Sequence, residues 1–256
     1  MIFLIIFGVL CGFIASILGA GSSMILTPLL LYVYPLITGN HFTIQTITSA
    51  TLGLTFFSTA AATIRYHNAR LIPYRYAIIL AASGSIGSFI SGSFIAENIN
   101  RLFILIIFGI IVVLSLIFNF IPIEEKEEEP PTRKFFVLGS IIIFLLGIIT
   151  GIIGIGGMVI FMPYMIYVLR FSVRKTIGTT TFCGALIALF GIVGKSVINM
   201  MNWKIALVVA IGGIIGGFIG PTLGKHIPNR FLRYGLNVIL VLIIIMVLID
   251  IFKNNI

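Results

Sequence analysis

No Asp, Glu, Lys or Arg occurs before Arg65, and residues 135–169 and 234–249 are equally free of charge. Apolar runs of that length leave no polar stripe for a helix to turn towards water, so the surroundings they fit are lipid. Hydrophobic residues make up 59% of the chain and charged ones 9%, with a mean hydropathy of +1.22. Soluble domains sit near roughly 45–50% and 25%. The one clearly polar internal stretch, IPIEEKEEEPPTRK at 121–134, is too short to fold as a soluble domain. Helices satisfy their own backbone groups in hydrocarbon, so the chain reads as an all-α polytopic membrane protein.

The net charge of +9 could suggest a nucleic-acid partner, but the basic residues stand singly or in pairs at the ends of apolar segments. Membrane orientation accounts for that placement, and nucleic acid is excluded as a partner. Cys11 and Cys183 each lie inside an apolar segment and read as small buried hydrophobes, neither disulfide-bonded nor metal-ligating. The opening MIFLIIFGVLCGFIAS resembles a signal-peptide core without the positive leader, yet its counterpart at 135–151 recurs mid-chain. It is therefore expected to be a folded segment.

Two decamers organise the rest. Gly19–Pro28, GAGSSMILTP, and Gly154–Pro163, GIGGMVIFMP, share Gly at the first and third positions and Pro at the tenth. Glycine weakens a helix interior by roughly 1 kcal/mol and tolerates tight backbone turns, so each decamer predicts a helix that breaks and restarts. Inside a bilayer such a break survives mainly where it lines a cavity or meets a ligand. The echo continues: Gly84, Gly87, Asn100 and Arg101 correspond to Gly213, Gly216, Asn229 and Arg230. The duplication thus covers nearly the whole chain, giving a first membrane repeat at 1–120, an acidic cytoplasmic linker at 121–134 and a second repeat at 135–256.

The pattern predicts helices over 2–18, 24–37, 43–64, 76–96 and 101–120. The second repeat follows with 135–153, 157–169, 176–199, 204–224 and 229–252. The segments flanking each break are too long together for one straight crossing and slightly short for two, which suits a broken or re-entrant hairpin. Basic residues decide between the plans. If each hairpin returns, Arg101, Lys195, Lys204 and Lys253 fall on one side and the other twelve of the 16 Lys and Arg on the opposite side. That asymmetry marks the richer side as cytoplasmic and puts both termini outside. Each half then begins and ends on opposite faces, so the fold expected is two inverted repeats, each a Gly-broken hairpin plus three transmembrane helices, about 8 to 10 membrane segments in all. The pairs Gly213 with Gly217, Gly216 with Gly220, and Gly147 with Gly151 suit close helix packing.

Helices restarting near Ser22–Met24 and Gly157–Met158 would present unpaired N–H groups and a positive dipole end, a setting for a small anion; the alternative is a pair of kinks that only serve packing. The candidate binding residues are Gly19, Gly21, Ser22, Ser23, Thr48, Ser49, Gly154, Gly156, Gly157, Thr179 and Thr180. The hydroxyls could donate to an oxyanion, or simply cap the helix and bond back to the preceding turn. Arg65 and Lys195 occupy equivalent positions at helix exits and are expected to snorkel to the interface, or to attract anions at a cavity mouth. His67 reads as a solvated histidine in a basic loop, and Trp203 as an interfacial anchor. Glu124, Glu125, Glu127, Glu128 and Glu129 hold five of the seven acidic residues in the linker, with Glu97 and Asp250 at helix ends. Without intramembrane carboxylates a cation pathway is disfavoured, which leaves an anionic or neutral solute. His41, His67 and His226 all fall in predicted loops, so an intramembrane enzyme has little to build a site from.

At the Gly-rich segments ending in Pro, and at Gly178, Thr179 and Thr180 after Arg174 and Lys175, the sequence resembles the sulfite exporter TauE/SafE family of membrane transporters. In the first half Ser22 and Ser23 stand where that pattern has glycines, and ITSA stands where its GTS-like signature falls; both keep small polar residues. The resemblance implies a secondary transporter, without bound cofactor, in the plasma membrane. It would export or take up a small anionic solute such as sulfite, thiosulfate or an organosulfonate. The competing readings are a passive anion channel, a non-transporting membrane scaffold and an intramembrane enzyme.

Overall fold

The structure, a computed structural model, describes residues 1–18, 22–96, 100–120, 132–154, 158–224 and 229–254. Among them there is no strand. The first half contains α1 (Ile2–Leu18) and α2 (Ser22–Pro28), which passes through a π-helical segment, Leu29–Val33, into α3 (Tyr34–Thr38). It continues with α4 (Ile44–Asn68), α5 (Tyr74–Ile90) with a π-helical extension at Ser91–Ile95, and α6 (Arg101–Phe120). The second half contains α7 (Arg133–Ile153), α8 (Met158–Tyr167), α9 (Val173–Val197), α10 (Trp203–Gly224) and α11 (Asn229–Asn254). Six of these are long and apolar enough to cross a membrane: α4, α5 with its extension, α6, α7, α9 and α10. The acidic stretch 121–131 lies outside the described residues.

Local chemistry explains the boundaries. Thr43 starts α4, its hydroxyl accepting from the Thr46 N–H at 3.3 Å. Pro28 has no N–H to give the carbonyl one turn back, and the wider π-helical turns follow directly after it. His67, expected in a loop, instead belongs to the exposed last turn of α4, where its Nδ1 meets the Tyr74 hydroxyl at 2.8 Å.

Packing joins each half to the other through small residues. A Cβ on Gly12 would come within 3.0 Å of the Gly213 Cα, and one on Gly147 within 2.9 Å of the Gly84 Cα. These two crossings, α1 on α10 and α7 on α5, involve residues that correspond to one another in the duplication. Most of the GxxxG glycines lie in the same seams, where Gly216 meets Val9 and Phe13, Gly220 meets Ser16, and Gly151 meets Ser88 and Ser91, while Gly217 meets Ser58 of α4. Lipid gives helices no hydrophobic reason to associate, so close backbone approach of this kind is what holds them.

The sense of each contact follows from the numbering. Along α1 and α10, Gly8, Gly12 and Ser16 meet Gly212, Gly213 and Gly220 in rising order, and along α4 and α10, Gly53 and Ser58 meet Ala206 and Gly217. Both α1 and α4 therefore run in the same direction as α10, and the chain must turn back through α2 and α3 between them. Likewise α5 runs with α7 (Gly84 to Gly147, Ser91 to Gly151) and with α9 (Ser88 to Gly191, Ser93 to Gly194). By contrast α4 and α9 meet in opposite order, Thr48 against Lys195 and Leu52 against Gly191.

Among the described residues four apolar clusters fill the space between, the smallest of them Leu52, Ala188, Ile192, Met201 and Ala206. One joins α1, α2, α4 and α10 around Leu4, Cys11, Leu26 and Leu54, and a second joins α5, α7, α8 and α9 around Leu80, Ile143, Phe161 and Cys183. The third, around Phe108 and Leu240, brings α6 and α11 against Met24 of α2 and Ile152 and Ile153 of α7. At one edge Asp250 accepts from the Arg101 guanidinium at 2.8 Å and from the Tyr32 hydroxyl at 3.1 Å. The Arg101 side chain is half exposed, so the pair is screened. Asp250→Asn should cost about 1 kcal/mol at most, read as a small fall in the thermal unfolding midpoint of purified protein.

Candidate functional site

The buried polar surface of the first half gathers on one face of α4, where Thr48, Thr51 and Thr55 follow at helical spacing and are each almost wholly buried. Residues flanking both helix breaks, Ser22 and Gly154, reach this face. α7 ends in Gly154, which adopts φ +77° and whose N–H closes the last turn onto the Thr150 carbonyl at 2.7 Å. A Cβ there would run into the Thr51 hydroxyl and lie 2.6 Å from the Thr48 carbonyl. One turn further along α4, the Thr55 hydroxyl meets that of Ser22, the first residue of α2, at 3.2 Å. Met24 packs with Ile152 and Ile153, so the restart of one half and the break of the other are neighbours.

Lys195 completes the cluster, and here the structure corrects the sequence expectation. It does not snorkel: it is 3% exposed, and its Nζ donates to Thr48 Oγ1 at 2.7 Å and to the Ile152 carbonyl at 3.1 Å. The latter belongs to the last turn of α7, where carbonyls have no intrahelical partner and a basic group is favoured. Its counterpart Arg65 does behave as expected, exposed and 4.6 Å above the ring of Phe218. The missed signal is periodic: Ala188, Ile192 and Lys195 lie on one face of α9, and the first two are core residues.

Ser49 ties this cluster to the surface. Its hydroxyl donates to the Gln45 carbonyl at 2.7 Å and to the Met200 carbonyl at 3.3 Å, and accepts from the Asn202 N–H at 3.1 Å. The start of α4 and the 199–203 segment form the walls of an open depression of about 520 Å³, with Gln45, Thr46 and Asn202 among its polar residues. Trp203 stands at its rim, half exposed, as an interfacial side chain would.

Of the sequence-predicted residues, Ser22, Thr48, Ser49 and Gly154 thus sit along one stretch of α4. Ser23 is buried beside them, its carbonyl accepting from the Thr27 hydroxyl at 2.8 Å. Thr179 and Thr180 do not join them. They lie near the other end of α9, about 22–24 Å from Lys195 by helical rise. Their hydroxyls donate back to the Lys175 and Thr176 carbonyls at 2.7 and 2.9 Å, the helix-internal alternative foreseen for them. Gly19, Gly21, Gly156 and Gly157 lie outside the described residues. Among the described residues no group of His, Cys, Asp and Glu could hold a metal ion.

The family model described as Sulfite exporter TauE/SafE matches residues 4–247. A probable membrane transporter protein of Xylella fastidiosa (strain 9a5c) is 29% identical over 245 residues, covering 92% of this chain and 91% of its own. The probable membrane transporter protein YunE of Bacillus subtilis (strain 168) is 22% identical over 260 residues, 94% of this chain and 95% of its own. The probable membrane transporter protein MJ0441 of Methanocaldococcus jannaschii is 21% identical over 251 residues, 93% and 91% of the two chains. No solved structure matches the chain.

Proposed function

This chain belongs to the sulfite exporter TauE/SafE family, and from that premise we propose that it is a secondary transporter of small anions, sulfite or another sulfur oxyanion or organosulfonate. The solute is bound where the two interrupted helices meet α4. One observation carries the reading: Gly154 of one half and Ser22 of the other abut the same buried row of hydroxyls, Thr48, Thr51 and Thr55, with a basic side chain at its end. Interrupted helices facing a buried polar strip at the junction of two repeats are how many secondary transporters build a substrate site. The Thr48 and Thr51 hydroxyls, which donate to the Gln45 and Thr48 carbonyls, can rotate to donate to a ligand, and with the Lys195 nitrogen they form a donor set that suits an oxyanion and not a cation.

In this reading the halves are inverted repeats that rock against one another. What supports the inversion is the sense of the contacts: the equivalent helices α4 and α9 run in opposite directions, and each of the two glycine seams pairs helices of like direction. The site residues carried from the sequence, including Gly19, Gly21, Gly156 and Gly157 at the breaks and Thr179 and Thr180 towards the opposite face, would line the path as it opens to either side. The protein would lie in the plasma membrane with the linker cytoplasmic and both termini outside.

Two measurements test this. Proteoliposomes loaded with unlabelled sulfite should take up labelled sulfite, thiosulfate or an alkanesulfonate with saturation and countertransport. Linear flux would make it a channel, and no flux of any of them would reject the substrate class. For orientation, Trp203→Cys should react with an impermeant maleimide from outside intact cells, whereas Arg70→Cys should react only after permeabilisation. The native Cys11 and Cys183 are buried and give no background. The reverse labelling pattern would overturn the topology.

A further inference from the structure

Among the described residues Lys195 is the one fully buried basic side chain and no carboxylate stands within salt-bridge distance of it. Its two hydrogen bonds, to Thr48 Oγ1 and the Ile152 carbonyl, use two N–H donors, the full complement of a neutral amine. A third proton would find no acceptor among the described residues, and a bare ammonium withdrawn from water carries a desolvation cost of several kcal/mol. An anion held against the same nitrogen removes that cost by supplying both the counter-charge and the third acceptor.

We propose that Lys195 takes up a proton together with the transported anion, so that the coupling ion is H⁺ and the carrier of the proton is this amine. The inference rests on the anion reading above and goes beyond it by naming the driving ion. The balance is simple. An empty site holds –NH₂; one proton and one monovalent anion enter to give –NH₃⁺ paired with the anion, and both leave on the other side. The only bond made and broken is N–H, no net charge crosses, and a monovalent anion moves with one proton.

Among the described residues no carboxylate faces Lys195 from the helices packed on α9. On α4 the ionisable groups are Arg65, Tyr66 and His67 at the far end, on α5 Tyr74, Arg75 and Tyr76 at its start, on α7 Arg133 and Lys134 at its start, and on α8 Tyr164 and Tyr167. α1 offers only the buried Cys11. On α9 itself, Arg174 and Lys175 lie in the first turn and Cys183 three turns away. The adjacent π-helical extension of α5 contributes Ser91, Gly92 and Ser93. The Ser88 and Ser93 hydroxyls, buried beside Gly191 and Gly194 of α9, have no partner and are further donors within that seam. Glu97, the carboxylate next in sequence, lies outside the described residues and is made a control.

The test is proton uptake on anion binding, followed with a pH-sensitive dye in weakly buffered detergent solution. Methanesulfonate, sulfite, nitrate and chloride are added in turn to the purified full-length protein. The expected result is about one proton taken up per monovalent anion bound. Lys195→Gln should lose that uptake and bind the anion on the order of 30-fold or more weakly. Lys195→Arg, always charged, should bind without proton uptake, and Glu97→Gln should behave as the native protein. Binding by the native protein with no proton uptake overturns the inference while leaving the anion reading intact. So does proton uptake that survives in Lys195→Gln or vanishes in Glu97→Gln, whereas binding of none of the four anions removes both. A lysine serving only to cap α7 would leave the proton count at zero in every variant, which also overturns it.

Discussion

Gly154→Val is expected to abolish transport. The residue adopts φ +77°, where a side chain costs roughly 1–2 kcal/mol and a β-branched one is a clear outlier. The valine Cβ would also meet the Thr51 hydroxyl and the Thr48 carbonyl, and overpacking of that kind adds typically 1–3 kcal/mol. Relief is available only by pushing the end of α7 off α4. That movement takes the Ile152 carbonyl away from Lys195 and opens the join between break and hydroxyl row where we propose the anion binds. Labelled sulfite uptake by proteoliposomes should therefore fall to the level of empty vesicles, while the unfolding midpoint drops but a cooperative transition remains. Native-level uptake by this variant would mean that the junction of α7 with α4 is not the site.

The end of α7 at Gly154 was legible in the sequence because two signals met there. Glycine at the first and third places of a decamer interrupts an apolar helix, and the same decamer occurring twice gives the interruption a counterpart. Helix boundaries followed for a related reason. In lipid, a helix ends where charge, Pro or Gly ends the apolar run, and the structure agrees with the expected limits within a few residues in both halves, as for α6 and α7.

Side-chain destinations were harder to read. Arg65 and Lys195 stand at equivalent places, yet one stacks on Phe218 at the surface and the other is buried against Thr48. The difference arises from what packs on them. Gly191 and Gly194 let the π-helical end of α5 close over α9, and the 199–203 segment folds across the start of α4 through Ser49. Neither contact is local in sequence. The threonines show the same limit: TIGTTT and TITSAT look alike, but among the described residues only the second is met by the residue flanking a helix break, and while Thr48, Thr179 and Thr180 all donate back to their own turn, Thr48 also accepts from Lys195.

Duplication makes a second strong prediction, that Gly12→Leu and Gly147→Leu fail alike. Each glycine faces backbone of its partner glycine, Gly213 in one seam and Gly84 in the other, with the would-be Cβ at 3.0 and 2.9 Å from a Cα. Flexible side chains could yield at such distances, but two backbones held in register along a helix pair cannot. Separation of the helices then removes the close packing that stands in for a hydrophobic driving force in lipid. Each substitution should cost more than about 3 kcal/mol, beyond the usual range for a well-packed site that can still adjust. Gly109→Ala provides the contrast, because its nearest neighbour is a Val247 methyl at 3.5 Å, ordinary van der Waals contact. In thermal unfolding of detergent-purified protein, the two leucine variants should lose comparable amounts of stability or fail to yield folded material, and the alanine variant should match the native chain. If Gly12→Leu were tolerated while Gly147→Leu unfolded the protein, the seams would not be equivalent, and a common plan for the two halves could no longer be argued from them.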